Sequence, residues 1–506
     1  MVVCHISSNP PPPSPSQKRM PHNESTNGQI PEKSNGQEKN EQPASDGHED
    51  DSQKDPNVVD WDGPHDPEYP QNWPARKKWF NLSLATLAML VANLGSSTIS
   101  PGSSEVLSEF RATSTELKAL IVSIFSLGIA LGPMLLAPIS DKYGRRVVYL
   151  CSILFFIIFS CICAVSTNLP MLLVFRFLTG VSASNTCGGT IGDLFGPHQR
   201  GKAMALYGLA PISSNALSPV IGGYVIFGLG WRWAFWINAI IAAPVFIVAI
   251  FFLGESHAPI LLARKAKKTG KKTPKDAANS SKGASTLLTP FRLLFTHPTV
   301  FFLSLYMAFL YGLFYIFLTT MSLVFKGVYG FNVGEVGLSF LGLSAGMLIG
   351  NVLTGLMSDR QYEKAKEAHH GTPHPESRLT ETVYTGLLVP LGLFWFGWSA
   401  QEKVQFLCPI IATSFLGIAI SAAYISIQSY MLDAFASEAA DVLAATTFLR
   451  SVFGTILPLA GAPTYTLLGF GWGNSMLGFI SLVLVPIPWV FIHHGQKWRR
   501  KDEESK

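Results

Sequence analysis

The sequence predicts an all-α membrane protein of about twelve spans set out as two six-helix halves, and three observations carry the prediction. Of 506 residues, 48% are hydrophobic and only 14% charged, where a soluble chain carries about 25% charged residues. The apolar residues gather into runs near 79–101, 117–139, 147–166, 169–194, 202–229, 232–253, 298–326, 333–357, 382–400, 403–432, 441–469 and 474–494. Each of these can cross about 30 Å of hydrocarbon at about 1.5 Å per residue. The chain also repeats itself. Gly355-Leu-Met-Ser-Asp359-Arg360 follows the eighth run as Ala137-Pro-Ile-Ser-Asp141-Lys142 follows the second, 218 residues earlier (359 − 141). The half-starts Lys78 and Pro298 are 220 residues apart (298 − 78), so one interval accounts for both. Two related six-span halves with a site between them near the midplane is a transporter plan.

Residues 1–75 are rich in Pro, Ser, Asn, Gln and charge, with hardly an aromatic before Trp61. Such a segment buries too little apolar surface to offset the entropy of ordering, and is expected to be a disordered tail. Its opening MVVCHISSNPPPP has no apolar core behind positive charge, so no signal peptide is expected. Trp73, Arg76, Lys77, Lys78 and Trp79 then anchor the first span of the N-terminal half, 76–253, at an interface.

Short connections on one side hold Lys142, Arg145, Arg146, Arg200, Lys202, Arg360, Lys364 and Lys366, together with the Lys-rich 264–282 stretch and Lys497 to Lys501. Those on the other side hold scattered Arg111, Lys118, Arg232, Lys326 and Lys403. Positive charge collects in the cytoplasm, which predicts both termini inside. The polar 254–297 stretch reads as a flexible cytoplasmic linker, 298–495 as the C-terminal half and 496–506 as a short cytoplasmic tail.

Between the second and third runs, Asp141, Lys142, Gly144, Arg145 and Arg146 crowd one tight hairpin turn. In the fourth run, Arg176 lies about two turns deep, four residues before Gly180. A buried arginine in hydrocarbon is costly unless it faces a partner or a wet cavity, so it is a functional candidate, with snorkelling to the interface as the plainer reading. Arg450, four residues before Gly454 in the eleventh run, draws the same suspicion; its plainer reading is an ion pair with Asp433 or Asp441. The fifth run carries Pro211, Asn215, Ser218, Pro219, Gly222 and Gly223, small and kinking residues that let backbones approach closely.

These stretches carry a resemblance. Asp141-Lys-Tyr-Gly144-Arg145-Arg146 is similar to the G-x-x-x-D-[RK]-x-G-R-[RK] signature of the major facilitator superfamily, with Ala137 where the first Gly is usual. Asp66-Pro-Glu-Tyr-Pro-Gln-Asn72-Trp73-Pro74 resembles the D-P-x-N-P-x-N-W-P element of the twelve-span fungal drug:proton antiporters, with Tyr69 in place of Asn. The fifth run resembles their G-x-x-x-G-P-x-x-G-G antiporter motif, with Ser214 and Ser218 where Gly is usual. Ala-Ala-Thr446-Thr447-Phe-Leu-Arg450 resembles A-N-T-F-L-R, with Thr446 in place of Asn. The resemblance implies the major facilitator fold and proton-coupled export. Asp141 and Asp359, with Arg360, would sit near cytoplasmic gates, Asp141 resting near the start of the eleventh helix, and Arg176 near the proton path. The first helix of each three-helix unit would line the cavity, nominating Asn93, Asn185, Tyr311, Tyr315, Tyr424 and Gln428 for an amphipathic ligand, with Asn215 beside them.

The span cores hold no Asp or Glu in this reading, which favours a neutral or anionic cargo over a polyamine. A polyamine exporter of the same family and a nutrient importer of the same fold are the alternatives. Nucleic acid is excluded as a partner because basic and aromatic residues are not interleaved outside the apolar runs. No G-x-x-x-x-G-K-[ST] stretch, C-x-x-C pair or helical His pair at i, i+4 occurs, so no nucleotide, cofactor, metal or enzyme chemistry is expected. The expected partners are a small-molecule substrate, protons and the bilayer of the plasma membrane, with the chain acting as a monomer.

Overall fold

The structure is a computed structural model that describes residues 61–504 except 64–65, 113, 185–186, 271–288, 369–374 and 436–437. The regular elements among the described residues are helices. The first half holds α1 (Ala75–Ser97), α2 (Ser103–Glu109), α3 (Thr115–Tyr143), α4 (Arg145–Ala164), α5 (Leu169–Ala183), α6 (Cys187–Leu194), α7 (Pro197–Leu229) and α8 (Trp233–Phe252). Next come α9 (Ala258–Thr269) and α10 (Thr289–Thr296). The second half holds α11 (Pro298–Gly327), α12 (Val333–Ser339), α13 (Leu341–Ala368), α14 (Thr380–Gly386), α15 (Leu388–Gln401), α16 (Leu407–Ala434), α17 (Ala439–Leu484) and α18 (Pro486–Glu504).

Among the described residues, ten stretches are long and apolar enough to cross a bilayer, and one of them, Asp441–Gly495, has 55 residues. That is far more than one crossing needs. It turns at Gly469, whose φ of 71° and ψ of 176° break the helix inside α17. With that stretch counted as two passes and the shorter apolar α5 as one, the crossings number twelve.

Glycine against backbone sets the packing inside each half. A Cβ on Gly180 of α5 would overlap the carbonyl oxygen of Phe125 on α3, and one on Gly128 would overlap that of Phe177. In the second half, a Cβ on Gly417 of α16 would overlap the carbonyl oxygen of Leu343 on α13, and one on Gly346 would overlap that of Ser414. Leu343 and Gly346 stand 218 residues after Phe125 and Gly128, the interval of the sequence repeat. Small residues let membrane helices pack by backbone contact where no hydrophobic force draws them together.

The seam between the halves adds hydroxyl-to-carbonyl bonds to such contacts. Ser126 Oγ donates to the carbonyl of Ser451 at 3.3 Å, Thr455 Oγ1 to that of Ser123 at 3.2 Å, and Ser344 Oγ to that of Ala216 at 2.7 Å. Ser100 Oγ donates to the carbonyl of Leu318. The fifth-run motif serves this seam, because Gly222 abuts the carbonyl of Thr98 on its own half while Gly223 abuts Gly337 on the other.

Three expectations need correction. The tail does not stay unstructured to residue 75: Asp66, Pro70 and Trp73 are buried. Asp66 accepts from the backbone amides of Asp62 and Glu68 and from Lys265 Nζ at 3.0 Å, because the Pro-rich turn brings those donors round one carboxylate. The linker is not wholly flexible, since Pro259 in the first turn and apolar Ile260, Leu261 and Leu262 start α9, which Lys265 ties to Asp66. The fourth run, expected over 169–194, is divided into α5 and α6, with Ser184 turning out of the helix at ψ 84°. The expected disorder of residues 1–60 and the site residue Asn185 lie outside the described residues.

Candidate functional site

One cluster forms at the end of the bundle where α3 turns into α4. Gly144 alone joins the two helices, with φ 101° and ψ 157°, a conformation open in practice only to glycine. Its missing side chain leaves room for Glu255, whose carboxylate would overlap a Cβ at 144. Glu255 accepts from the backbone N–H of Arg145 at 2.9 Å, of Arg146 at 3.3 Å and of His257 at 3.1 Å. A carboxylate on the exposed amides that begin α4 is the favourable arrangement for a helix N-terminus. Arg145 then bridges two acids, Asp141 and Asp193, at 3.1 Å each, and Arg146 Nη2 donates to the carbonyl of Ile250 at 2.7 Å. His257 Nε2 lies 3.9 Å from Asp141, and burial, followed by the charge of Arg145, holds its pKa below the ordinary histidine value. Asp141 also lies within electrostatic reach of Asp441 in the first turn of α17.

Arg360 is exposed, and the side chain of Asp359 lies outside the described part.

Arg176 is 1% exposed. It does not reach an interface. Its Nη1 donates to the carbonyl of Gly95 at 3.2 Å, its Nη2 to that of Ser96 at 2.7 Å, and its Nε to that of Ile121. Gly95 and Ser96 lie in the last turn of α1, where carbonyls have no partner within the helix and the dipole is negative. Phe125 and Phe235 flank the guanidinium, with centroids 5.5 Å away. Gly180, expected beside it in coupling, is a packing contact.

Arg450 lies deeper, eleven residues into α17, about 16 Å from its start. Its guanidinium lies 4.5 Å from the ring centroid of Tyr311 and 5.3 Å from that of Tyr424. Neither acid named in the sequence reading pairs with it, and Asp433 binds Arg378 instead. Tyr311 also packs on Tyr315, centroids 5.1 Å apart, and against Gly454, beside which Ser126 of the first half stands. The structure thus brings Arg450, Tyr311, Tyr315 and Tyr424 together at the seam.

Other nominated residues fall elsewhere. Asn93 Nδ2 donates to the carbonyl of Met89 in its own helix at 2.9 Å. Asn215 Oδ1 accepts from Ser96 Oγ at 3.1 Å, and Ser218 and Ser97 share a hydroxyl contact. Pro211 accepts from Ser214 Oγ at 3.0 Å, and Pro219 offers its carbonyl to the Gly337 contact. Gln428 is one turn along α16 from Tyr424. Sequence reasoning missed Glu255 as a site residue, and its one signal was Glu255-Ser256 at the close of the sixth run. It also missed the buried Glu376 and Glu381 at the start of the ninth crossing. Among the described residues no group of three or more His, Cys, Asp or Glu could hold a metal ion.

Twelve crossings in two like halves, with buried charge at and beside their seam, define a multi-pass membrane transporter of small molecules. A model of the Major Facilitator Superfamily matches residues 85–458. The MFS-type transporter penM of Penicillium rubens is 42% identical over 470 residues, 90% of this chain and 92% of that one. The efflux pump radE of Floropilus chiversii is 39% identical over 460 residues, 88% of this chain and 86% of that one. Among solved structures, the xylose transporter XylE from E. coli, partially occluded and inward open, matches with a TM-score of 0.63 at 16% identity, over 82% of this chain and 98% of that one. That likeness is one of fold. The chain belongs to the major facilitator superfamily.

Proposed function

We propose that this transporter is a proton-coupled exporter of small amphipathic organic molecules, drugs or fungal secondary metabolites, acting as a monomer in the plasma membrane with both termini in the cytoplasm. The Asp141 cluster is then the cytoplasmic gate, and the two halves rock about the seam to open the central cavity to either side. The observation that carries the reading is the aromatic-walled cation at mid-depth: Arg450 between Tyr311 and Tyr424, with no carboxylate paired to it among the described residues. Such a lining suits cargo with a flat or apolar body and repels a polyamine. The likeness to the efflux pump radE and the fifth-run motif support the outward direction.

Purified protein in liposomes, with a pH step imposed and no nucleotide, tests it. Labelled amphipathic acids and neutral compounds are expected to move against the proton flow, and spermine not to move. Cargo travelling with protons would make it an importer, and spermine as the tightest ligand would reverse the substrate class.

A further inference from the structure

We propose that Arg450, with Tyr311 and Tyr424, is the subsite that receives the acidic group of the cargo, so that the substrates are organic anions such as carboxylates carried on a flat, conjugated body. The inference rests on the exporter reading above and names the chemistry of its cavity.

Arg450 is 8% exposed, and its Nε is buried without an acceptor. A buried charged donor left unmade is costly, and the cost is recovered when an acceptor arrives. Arg176 offers the contrast, since all three of its nitrogens already donate to carbonyls, which leaves it a structural part.

The surroundings of Arg450 extend the pattern. Tyr311 and Tyr315 are one turn apart on α11, and Tyr424 and Gln428 one turn apart on α16, so each pair shares a face. Gln428 Oε1 is also buried without a partner, and the Tyr315 hydroxyl is buried beside Tyr311 and Ser126. An anion's oxygen on Nε, a second donor from Tyr315 and two ring faces for a conjugated body form one coherent set of contacts. Gly454 fits this packing, because a Cβ there would press on both Tyr311 and Ser126, 3.0 Å from each.

The test uses three probes that differ only in charge: 2-naphthoate, its methyl ester and 2-naphthylmethylamine. Equilibrium binding is measured by calorimetry on the purified full chain in detergent at pH 7. The wild type is expected to bind the acid at least tenfold more tightly than the ester and to leave the amine unbound. In Arg450→Gln that preference is expected to disappear while the ester still binds, and Arg450→Lys is expected to keep part of it. Equal affinity of the wild type for acid and ester, no binding of the acid, or a preference that survives in Arg450→Gln would overturn the proposal. The wild-type comparison stands whether or not the variants fold. Because binding is read without a gradient, a chain that prefers the acid but moves nothing against protons would keep the subsite and lose the exporter reading. Flux of the neutral ester with no preference for the acid would do the reverse.

Discussion

The guanidinium of Arg176 closes the end of α1, with Nη2 2.7 Å from the carbonyl oxygen of Ser96. One side chain from α5 thereby joins three helices, because its other nitrogens hold Gly95 and, on α3, Ile121.

Arg176→Ala should therefore act as a stability mutation before it acts on transport. Three charge-assisted bonds are lost and the α1 carbonyls are left buried, at a cost of about 3 kcal/mol or more. Arg176→Lys keeps the charge without the planar fork and should fall between. Thermal unfolding in detergent checks both, and an unchanged midpoint in Arg176→Ala would remove the structural role.

Gly144→Ala should destabilise the Asp141 end twice over. The backbone conformation costs about 1–3 kcal/mol for any side chain, and the Cβ displaces Glu255 from the amides of Arg145 and Arg146. Pairing it with Glu255→Ala relieves the overlap but not the backbone. The two losses should sum to more than the double variant shows, a coupling that a double-mutant cycle reads directly.

Gly180→Ala and Gly417→Ala should do comparable damage, because each Cβ meets a carbonyl at the same place in its own half. Gly208→Ala, with nothing within 4 Å of the new carbon, should be neutral or stabilising by about 0.5–1 kcal/mol. Monodispersity on size exclusion and the unfolding midpoint rank the three.

His257 supplies the pH dependence. Its folded pKa lies below the ordinary value of about 6.5, so the folded chain binds fewer protons than the unfolded one as the pH falls. The stability of the wild type should hold above about pH 6.5 and decline below it. His257→Gln should flatten part of that decline between pH 7.5 and 5, followed by unfolding midpoints across the range.

How much of this was legible beforehand follows from which forces act locally. Crossings show as runs of apolar residues, so the hydropathy pattern located them, and the 218-residue repeat of Asp141 in Asp359 announced two halves. Gly144 between Asp141 and Arg145 read as a tight turn because only glycine permits one there. Glu255 did not read as its partner, since 110 residues separate it from Arg145 and nothing local marks the pairing. The acceptors of Arg176 are backbone carbonyls, which every residue possesses, so no sequence could name them. The break at Gly469 fell where the eleventh apolar run ends, whereas the short α5 escaped for a related reason: a continuous apolar run records what can sit in lipid, and says little about where the helix inside it bends.

The contrast between the two kinds of glycine and serine contact has a mechanical consequence. Backbone pressed on backbone, as at Gly180 and Gly417, tolerates no sliding, whereas a hydroxyl such as Ser126 or Thr455 exchanges one carbonyl for the next, or for water, by turning about a single bond. Each bundle is therefore stiff, and the halves can shift along the hydroxyl-bonded part of their seam while Gly223 pressed on Gly337 stays as the pivot.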